Sequence, residues 1–131
     1  MRFRRTLSAV AVVTAAAVAP VVMAPAADAA WWKLQMHTDD GDPGGRVRFQ
    51  PNGDRVEVCD IEADGYGVEL YVSRPYHNDS YRIRVGGNGN CVTRDADWPG
   101  YNLAENTYYD FDIYLTKNNR LHYWDESTWP S

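Results

Sequence analysis

Cysteine and histidine are scarce in this chain. It has two cysteines and three histidines among 131 residues, and it contains no Cys-x-x-Cys pair. A structural zinc site needs about four such ligands, and a serine or cysteine nucleophile needs a base within hydrogen-bond reach. The Gly-x-Ser-x-Gly motif is absent as well. We therefore expect no metal, no other cofactor and no enzymatic activity.

Charge is missing from a long segment near the N-terminus. Residues 6–27 carry no charged side chain, and three arginines precede them. The next charged residue is Asp28, and Ala27-Asp28-Ala29 fits the pattern of a cleavage site. This profile predicts a signal peptide over residues 1–29. The alternative is an uncleaved membrane anchor, but the two prolines within the segment disfavour a membrane-spanning helix.

Basic residues are few in the part that remains. Without residues 1–29 the chain has 102 residues, with 10 Lys and Arg against 17 Asp and Glu, a net charge of −7. This length suits one domain, and the acidic balance excludes a basic nucleic-acid binder. We expect a secreted domain, residues 30–131, that contacts neither nucleic acid nor membrane after cleavage.

Helical periodicity is absent from this domain. Apolar and polar residues alternate in short runs, and Asp-Gly, Asn-Gly and Gly-Gly pairs interrupt them about every 8–12 residues, as in all-β proteins. The pattern predicts one antiparallel β-sandwich, immunoglobulin-like in size, with a small β-barrel as the alternative. The clearest strand, residues 107–115, predicts four core residues: Tyr109, Phe111, Ile113 and Leu115.

The two cysteines are Cys59 and Cys91. Outside the cell, such a pair is expected to form one disulfide. The alternation in residues 55–60 points Val56 and Val58 to the core, which turns Cys59 to the opposite side. The disulfide is therefore predicted to lie at the end of that strand and to tie it to the glycine-rich loop just before Cys91, and it need not cross the core.

One acidic turn resembles the start of a calcium loop in its spacing. It contains Asp60, Glu62 and Asp64, but the glutamate that closes such a loop at the twelfth position is replaced by Tyr71. We treat the three acids as weak metal candidates and expect a solvated hairpin turn. A second acidic turn, residues 39–42, is expected to be a solvated loop.

Other carboxylates fall on predicted strands, where a pair of them could hydrolyse a glycoside. Arginines alternate on neighbouring strands, so cross-strand ion pairing explains these acids without catalysis. The acids are Glu57, Glu69, Asp110 and Asp112, and the arginines are Arg46, Arg48, Arg82 and Arg84.

Tryptophan and tyrosine are abundant, with five Trp and nine Tyr. Several fall on polar strand faces, in loops or at strand ends, where exposed rings form a candidate binding surface for a sugar, peptide or protein. The alternative is that they only fill the core or stabilise cross-strand pairs. The candidates are Tyr71, Tyr108, Tyr114, Trp98, Tyr101 and Trp124.

The segment Val58-Cys59-Asp60-Ile61-Glu62-Ala63-Asp64-Gly65 resembles a recurring hairpin of small secreted actinobacterial proteins of unknown function. Their pattern is a hydrophobic strand, then Cys-Asp-x-x-Ala-Asp-Gly, then a second strand. The similarity covers about residues 39–72. It implies export and a β fold, and it implies no activity and no site.

The exposed rings and the export signal together predict a secreted, non-enzymatic module that binds an extracellular protein or a cell-surface glycan. The alternative is a small inhibitor of extracellular proteases or glycosidases. Such an inhibitor would present a loop such as Arg74-Pro75-Tyr76-His77 from the disulfide-tied scaffold.

Overall fold

The structure is a computed structural model that describes residues 32–131. The predicted signal peptide, residues 1–29, lies outside the described residues. Within them, no helix is long and apolar enough to cross a membrane. The strands in chain order are β1 (Leu34–His37), β2 (Gly45–Gln50), β3 (Arg55–Asp60), β4 (Gly67–Ser73), β5 (Ser80–Gly86), β6 (Cys91–Arg94), β7 (Tyr108–Lys117) and β8 (Arg120–Pro130).

The strands form two antiparallel sheets of four strands each, packed against one another. The first sheet has the order β1-β2-β3-β6, and the second has the order β5-β4-β7-β8. Each sheet turns alternate side chains toward the other, because successive residues of a strand point to opposite faces. The predicted antiparallel β-sandwich is confirmed.

A cluster of three aromatic rings lies in the core between the sheets. Phe49 of the first sheet contacts Phe111 of the second, with ring centroids 4.7 Å apart. Trp129 lies 4.7 Å from Phe111 and 6.3 Å from Phe49. Contacts of this kind add about 0.5–1.5 kcal/mol each beyond the apolar area that they bury. The core residues predicted for β7 are all buried, as expected: Tyr109, Phe111, Ile113 and Leu115.

The predicted disulfide is present and links neighbouring strands of one sheet. Cys59 of β3 and Cys91 of β6 lie directly opposite each other, with Cα atoms 4.1 Å apart. Their side chains are on the side of the first sheet that faces away from the core, because Val58 points inward. Arg46 Nη2 lies 3.4 Å from the Cys59 sulfur. The bond therefore does not cross the sandwich, in agreement with the prediction.

A buried carboxylate ties three distant parts of the chain together. Asp54, in the turn between β2 and β3, accepts hydrogen bonds from the Leu103 amide and the Ser131 hydroxyl, both at 2.7 Å. Its φ of 50° is a left-handed conformation that aspartate tolerates better than most residues. Burial raises the pKa of the nearby Tyr81 phenol, and the Asp54 charge adds to that shift. The turn thus holds the β6–β7 loop and the C-terminal residue in place.

The last strand, β8, contains a β-bulge. The register shifts opposite Tyr114, where Tyr123 and Trp124 together face that one residue. Tyr123 has a φ of 42°. The extra residue reverses the alternation of β8. As a result Leu121 and Trp124, three positions apart, point to the same side of the sheet.

Candidate functional site

The side of the second sheet that faces away from the core carries most of the predicted site. We call it the outer face. All four strands contribute to it, because each turns every second residue to this side. Its side chains are Glu69 and Tyr71 of β4, Arg82 and Arg84 of β5, Tyr108, Asp110, Asp112, Tyr114 and Thr116 of β7, and Leu121, Trp124, Glu126 and Thr128 of β8.

Three of the predicted aromatic residues are neighbours on the outer face. Tyr114 and Trp124 pack ring against ring, with centroids 6.5 Å apart and planes inclined by 26°. Tyr71 is diagonal to Tyr114, because Tyr71 pairs with Asp112 and Glu69 pairs with Tyr114. Diagonal neighbours on one face are within reach of aromatic side chains. We call Tyr71, Tyr114 and Trp124 the aromatic band, which crosses β4, β7 and β8.

The other three candidates lie away from the aromatic band. Tyr108 is on the outer face, but about 20 Å farther along β7. Trp98 and Tyr101 belong to the β6–β7 loop, where the Arg94 guanidinium carbon lies 4.4 Å from the Trp98 ring centroid and 5.9 Å from that of Tyr101. Tyr101 also packs against Tyr81, at 4.8 Å between centroids. The six predicted residues therefore do not form a single patch, and Tyr101 belongs to the edge of the core.

One buried carboxylate holds the arginines of the outer face. Glu69 is 1% exposed, and it accepts hydrogen bonds from Arg82 and from Arg84, the latter at 2.6 Å. The Arg82 guanidinium carbon also lies 4.3 Å from the Tyr71 ring centroid. Alternation places Glu69 on the outer face, as predicted, but the two arginines remove it from solvent. Two guanidinium groups share one carboxylate, so the β5 side of the outer face is positive.

The first sheet contains a similar group on its own outward side. Glu57 accepts hydrogen bonds from Arg48 at 2.6 Å and from Arg46 at 3.4 Å. The predicted cross-strand pairing is therefore confirmed for Glu57 and Glu69. A carboxylate whose oxygens already accept hydrogen bonds from two arginines is engaged, which makes it a poor general acid.

The predicted pairing with arginine is wrong for Asp110 and Asp112. Asp110 accepts a hydrogen bond from the Thr128 hydroxyl at 2.7 Å, and Asp112 lies directly opposite Glu126. The reason is strand order, since β4 separates β7 from the arginines of β5. Burial, Glu126 and Asp110 together raise the pKa of the Asp112 carboxyl. The β8 side of the outer face is therefore acidic.

A pocket of about 280 Å³ adjoins the aromatic band at the β7–β8 turn. Asn118 and Asn119 form the two-residue turn, with φ values of 51° and 59°, as a tight hairpin turn of this hand requires. Lys117 Nζ lies 4.6 Å from the ring centroid of Tyr66. The sequence indicated only a turn here and gave no sign of a pocket. Its lining is Glu69, Arg84, Thr116, Lys117, Asn118, Asn119 and Leu121.

The two acidic turns meet at one end of the sandwich. Carboxylate oxygens of Asp40, Glu62 and Asp64 lie within 4.8 Å of one another. Asp60, the remaining weak metal candidate, is buried and does not belong to this group. Partial loss of hydration raises the pKa of the Glu62 carboxyl, and the charges of Asp42 and Asp64 raise it further. That no metal binds at these turns stays a prediction.

The loop considered for an inhibitor is a tight turn between β4 and β5. Tyr76 at its tip is fully exposed and has a φ of 64°. The His77 amide donates to the Arg74 carbonyl at 3.1 Å, and the Arg74 side chain contacts Asp79 at 3.4 Å. A positive φ is unusual for a bulky residue, so the turn holds an aromatic side chain away from the domain in a strained conformation.

Comparison of the chain with models of protein families, with curated proteins and with solved structures yields no match.

Proposed function

We propose that the protein is a secreted, non-enzymatic module that binds a cell-surface glycan through the aromatic band. The observation that carries the proposal is the contiguity of Tyr71, Tyr114 and Trp124 on one face of the second sheet. Trp124 is 53% exposed, although burial of such a ring is favourable. Tyr71 and Tyr114 beside it are half-buried, so the three rings form one partly exposed aromatic surface, and such a surface marks a candidate binding site.

The surroundings of the aromatic band favour a glycan over a protein partner. A pyranose ring has an apolar face, which stacks on an aromatic ring, and a rim of hydroxyl groups, which needs hydrogen-bond partners. The outer face supplies both, since charged Arg82, Asp112 and Glu126 border the rings. The centre of a protein–protein interface is instead depleted in charged residues.

Export and lack of catalysis are part of the same proposal. The signal-peptide profile of residues 1–29 supports secretion, and a disulfide is typical of extracellular proteins. The engagement of Glu57 and Glu69 by arginines leaves neither of them available as a general acid. A binding role accounts for the outer face without a catalytic step.

Pull-down on insoluble cell-wall polysaccharide, peptidoglycan included, tests the proposal. Trp124→Ala is expected to weaken retention at least about tenfold, which is the loss typical of a buried aromatic anchor. Trp98→Ala is the matched control, because Trp98 is equally exposed but lies in the β6–β7 loop, and it should leave retention unchanged. Melting curves verify that both variants are folded. Equal losses in the two variants, or no retention of the wild-type protein, would contradict the proposal.

The second candidate, an inhibitor of extracellular hydrolases, rests on Tyr76 alone. The fully exposed ring could enter an apolar pocket of an enzyme. Inhibition assays on secreted proteases and glycosidases test this role. Tyr76→Gly should abolish inhibition and raise the melting temperature, because glycine adopts the positive φ of the turn without strain. Absence of inhibition by the wild-type protein would eliminate this candidate.

A further inference from the structure

We propose that the glycan carries acidic groups, carboxylates or phosphates, and that the pocket at the β7–β8 turn binds one of them. This inference rests on the proposed function, because it extends the aromatic band by an adjoining subsite. Thr116 follows Tyr114 by two residues on the same face of β7, about 7 Å away. A sugar that stacks on Tyr114 or Trp124 therefore places its neighbouring residue or substituent over the pocket.

Charge is the first argument. The domain is acidic, with a net charge of −7 after removal of residues 1–29, and yet this pocket gathers cations. Arg84 and Lys117 line it, and Arg82 shares Glu69 with Arg84. The lining thus carries two cations and one carboxylate, and that carboxylate also binds Arg82, which lies outside the lining. A positively charged site on an otherwise acidic domain attracts anionic ligands, such as the acidic groups that we propose.

The donors of these cations are available. Arg84 contacts Glu69 through Nε and its side chain is 72% exposed, which leaves the terminal nitrogens toward solvent. Lys117 forms no ion pair within residues 32–131, and its ammonium group lies over the Tyr66 ring. Guanidinium and ammonium groups form short, charge-assisted hydrogen bonds with carboxylate and phosphate oxygens.

Neutral hydrogen-bonding groups complete the pocket. Thr116, Asn118 and Asn119 line it beside the cations, and their side chains carry one hydroxyl and two amides. Both asparagines are held in place by the turn, whose positive φ values suit asparagine. A volume of about 280 Å³ accommodates one sugar residue or one acidic substituent but not a folded partner. These groups suit an acidic sugar better than a neutral one.

Two matched pairs of polymers test the inference and separate the two sources of negative charge. The carboxylate pair is polygalacturonate and its fully methyl-esterified form, which has the same backbone without the charge. The phosphate pair is peptidoglycan with its wall teichoic acid and the same material after removal of the phosphate polymer. We expect at least one of these polymers to bind about tenfold more tightly than its counterpart that lacks the carboxylate or phosphate charge in question, and we expect this preference to shrink at high salt.

Variants of the protein then test whether the preference for charged polymers comes from this pocket. Lys117→Gln should weaken binding of the charged polymer about fivefold and change binding of the uncharged one little. Lys33→Gln is the control, with the same loss of charge at an exposed position next to β1. Asn119→Gly removes a pocket amide but preserves the turn, so it should weaken binding without lowering the melting temperature. Trp124→Ala should weaken binding of both members of a pair.

The outcomes are distinguishable. Equal binding of charged and uncharged polymers that Trp124→Ala abolishes would overturn the acidic subsite and leave the proposed function standing. A preference for charge that Lys117→Gln and Lys33→Gln reduce equally would also overturn the subsite, because the effect would then come from overall charge. Binding of none of the four polymers would overturn both proposals.

Discussion

Replacing both arginines that bind Glu69 should lower the free energy of unfolding by far more than the sum of the two single replacements. The proposed variants are Arg82→Met and Arg84→Met, which keep an unbranched apolar side chain in place of the arginine stem. Glu69 is 1% exposed and accepts hydrogen bonds from both guanidinium groups. Each single variant leaves one partner, whereas the double variant leaves the Glu69 carboxyl group buried on the second sheet without either arginine.

The expected losses of stability follow from how exposed the two arginine side chains are. The Arg82 and Arg84 side chains are 52% and 72% exposed, so solvent screens each pair and a single loss should cost about 0.5–1 kcal/mol. An uncompensated buried charge costs about 3–5 kcal/mol. The double variant should therefore exceed the sum of the single variants by roughly 2–3 kcal/mol. For a domain of this size, each kcal/mol lowers the melting temperature by about 4–8 °C.

Urea unfolding of the four proteins of this double-mutant cycle measures the coupling. Glu69→Gln added to the double variant is the control, because a neutral amide needs no counterion, and it should recover a large part of the lost stability. Additive effects of the two arginine variants, within about 0.5 kcal/mol, would refute the reasoning. So would a triple variant that is less stable than the double variant.

Four further predictions concern other parts of the domain. Asp54→Ala should lower the free energy of unfolding in urea by about 2–4 kcal/mol, since one buried and one partly buried donor lose their acceptor; a loss below about 0.5 kcal/mol, which is the error of such a measurement, would contradict this. Intact-mass measurement should show the loss of two hydrogens to the disulfide, and reduction should cost about 3.5–4 kcal/mol for a bond that spans 32 positions. Phe111→Ala should cost about 3–5 kcal/mol and Tyr108→Ala much less, because only the first ring is buried; equal costs would place both faces of β7 in contact with other elements. Glu62→Gln should raise the melting temperature at neutral pH, and the advantage should vanish on acidification, because a raised pKa in the folded state means that ionisation opposes folding and that protonation removes this penalty.

The strands and the core follow from local pattern. Successive side chains of a strand point to opposite faces, so the alternation around Tyr109, Phe111, Ile113 and Leu115 defines both the core face and its opposite. The same rule places Tyr71 and Tyr114 on the outer face. It also turns Cys59 away from the core, which is why the sequence indicated that the disulfide need not cross the sandwich, but not that it links two paired strands of one sheet.

Pairing between distant segments lies beyond this rule. The sequence does not show that β4 separates β5 from β7, and this order gives the arginines to Glu69 and leaves Asp110 and Asp112 without them. Nor does it show that Asp40 approaches Glu62 and Asp64 across the end of the sandwich. These neighbours are set by strand order and by loops that close over long sequence distances.

The position of Trp124 shows most directly what sequence and tertiary structure each determined. Unbroken alternation along β8 would place Trp124 and the core residue Trp129 on opposite faces, as observed, but it would then turn Leu121 to the core side. The bulge at Tyr123 inserts one residue opposite Tyr114, and so Leu121 and Trp124 share the outer face. A bulge exists where one strand of a pair has an extra residue between two paired positions, so the sequence of one strand alone does not show it. Composition and alternation therefore determined that the domain is a disulfide-linked β-sandwich with exposed rings, and only the pairing of β7 with β8 joined those rings to the pocket.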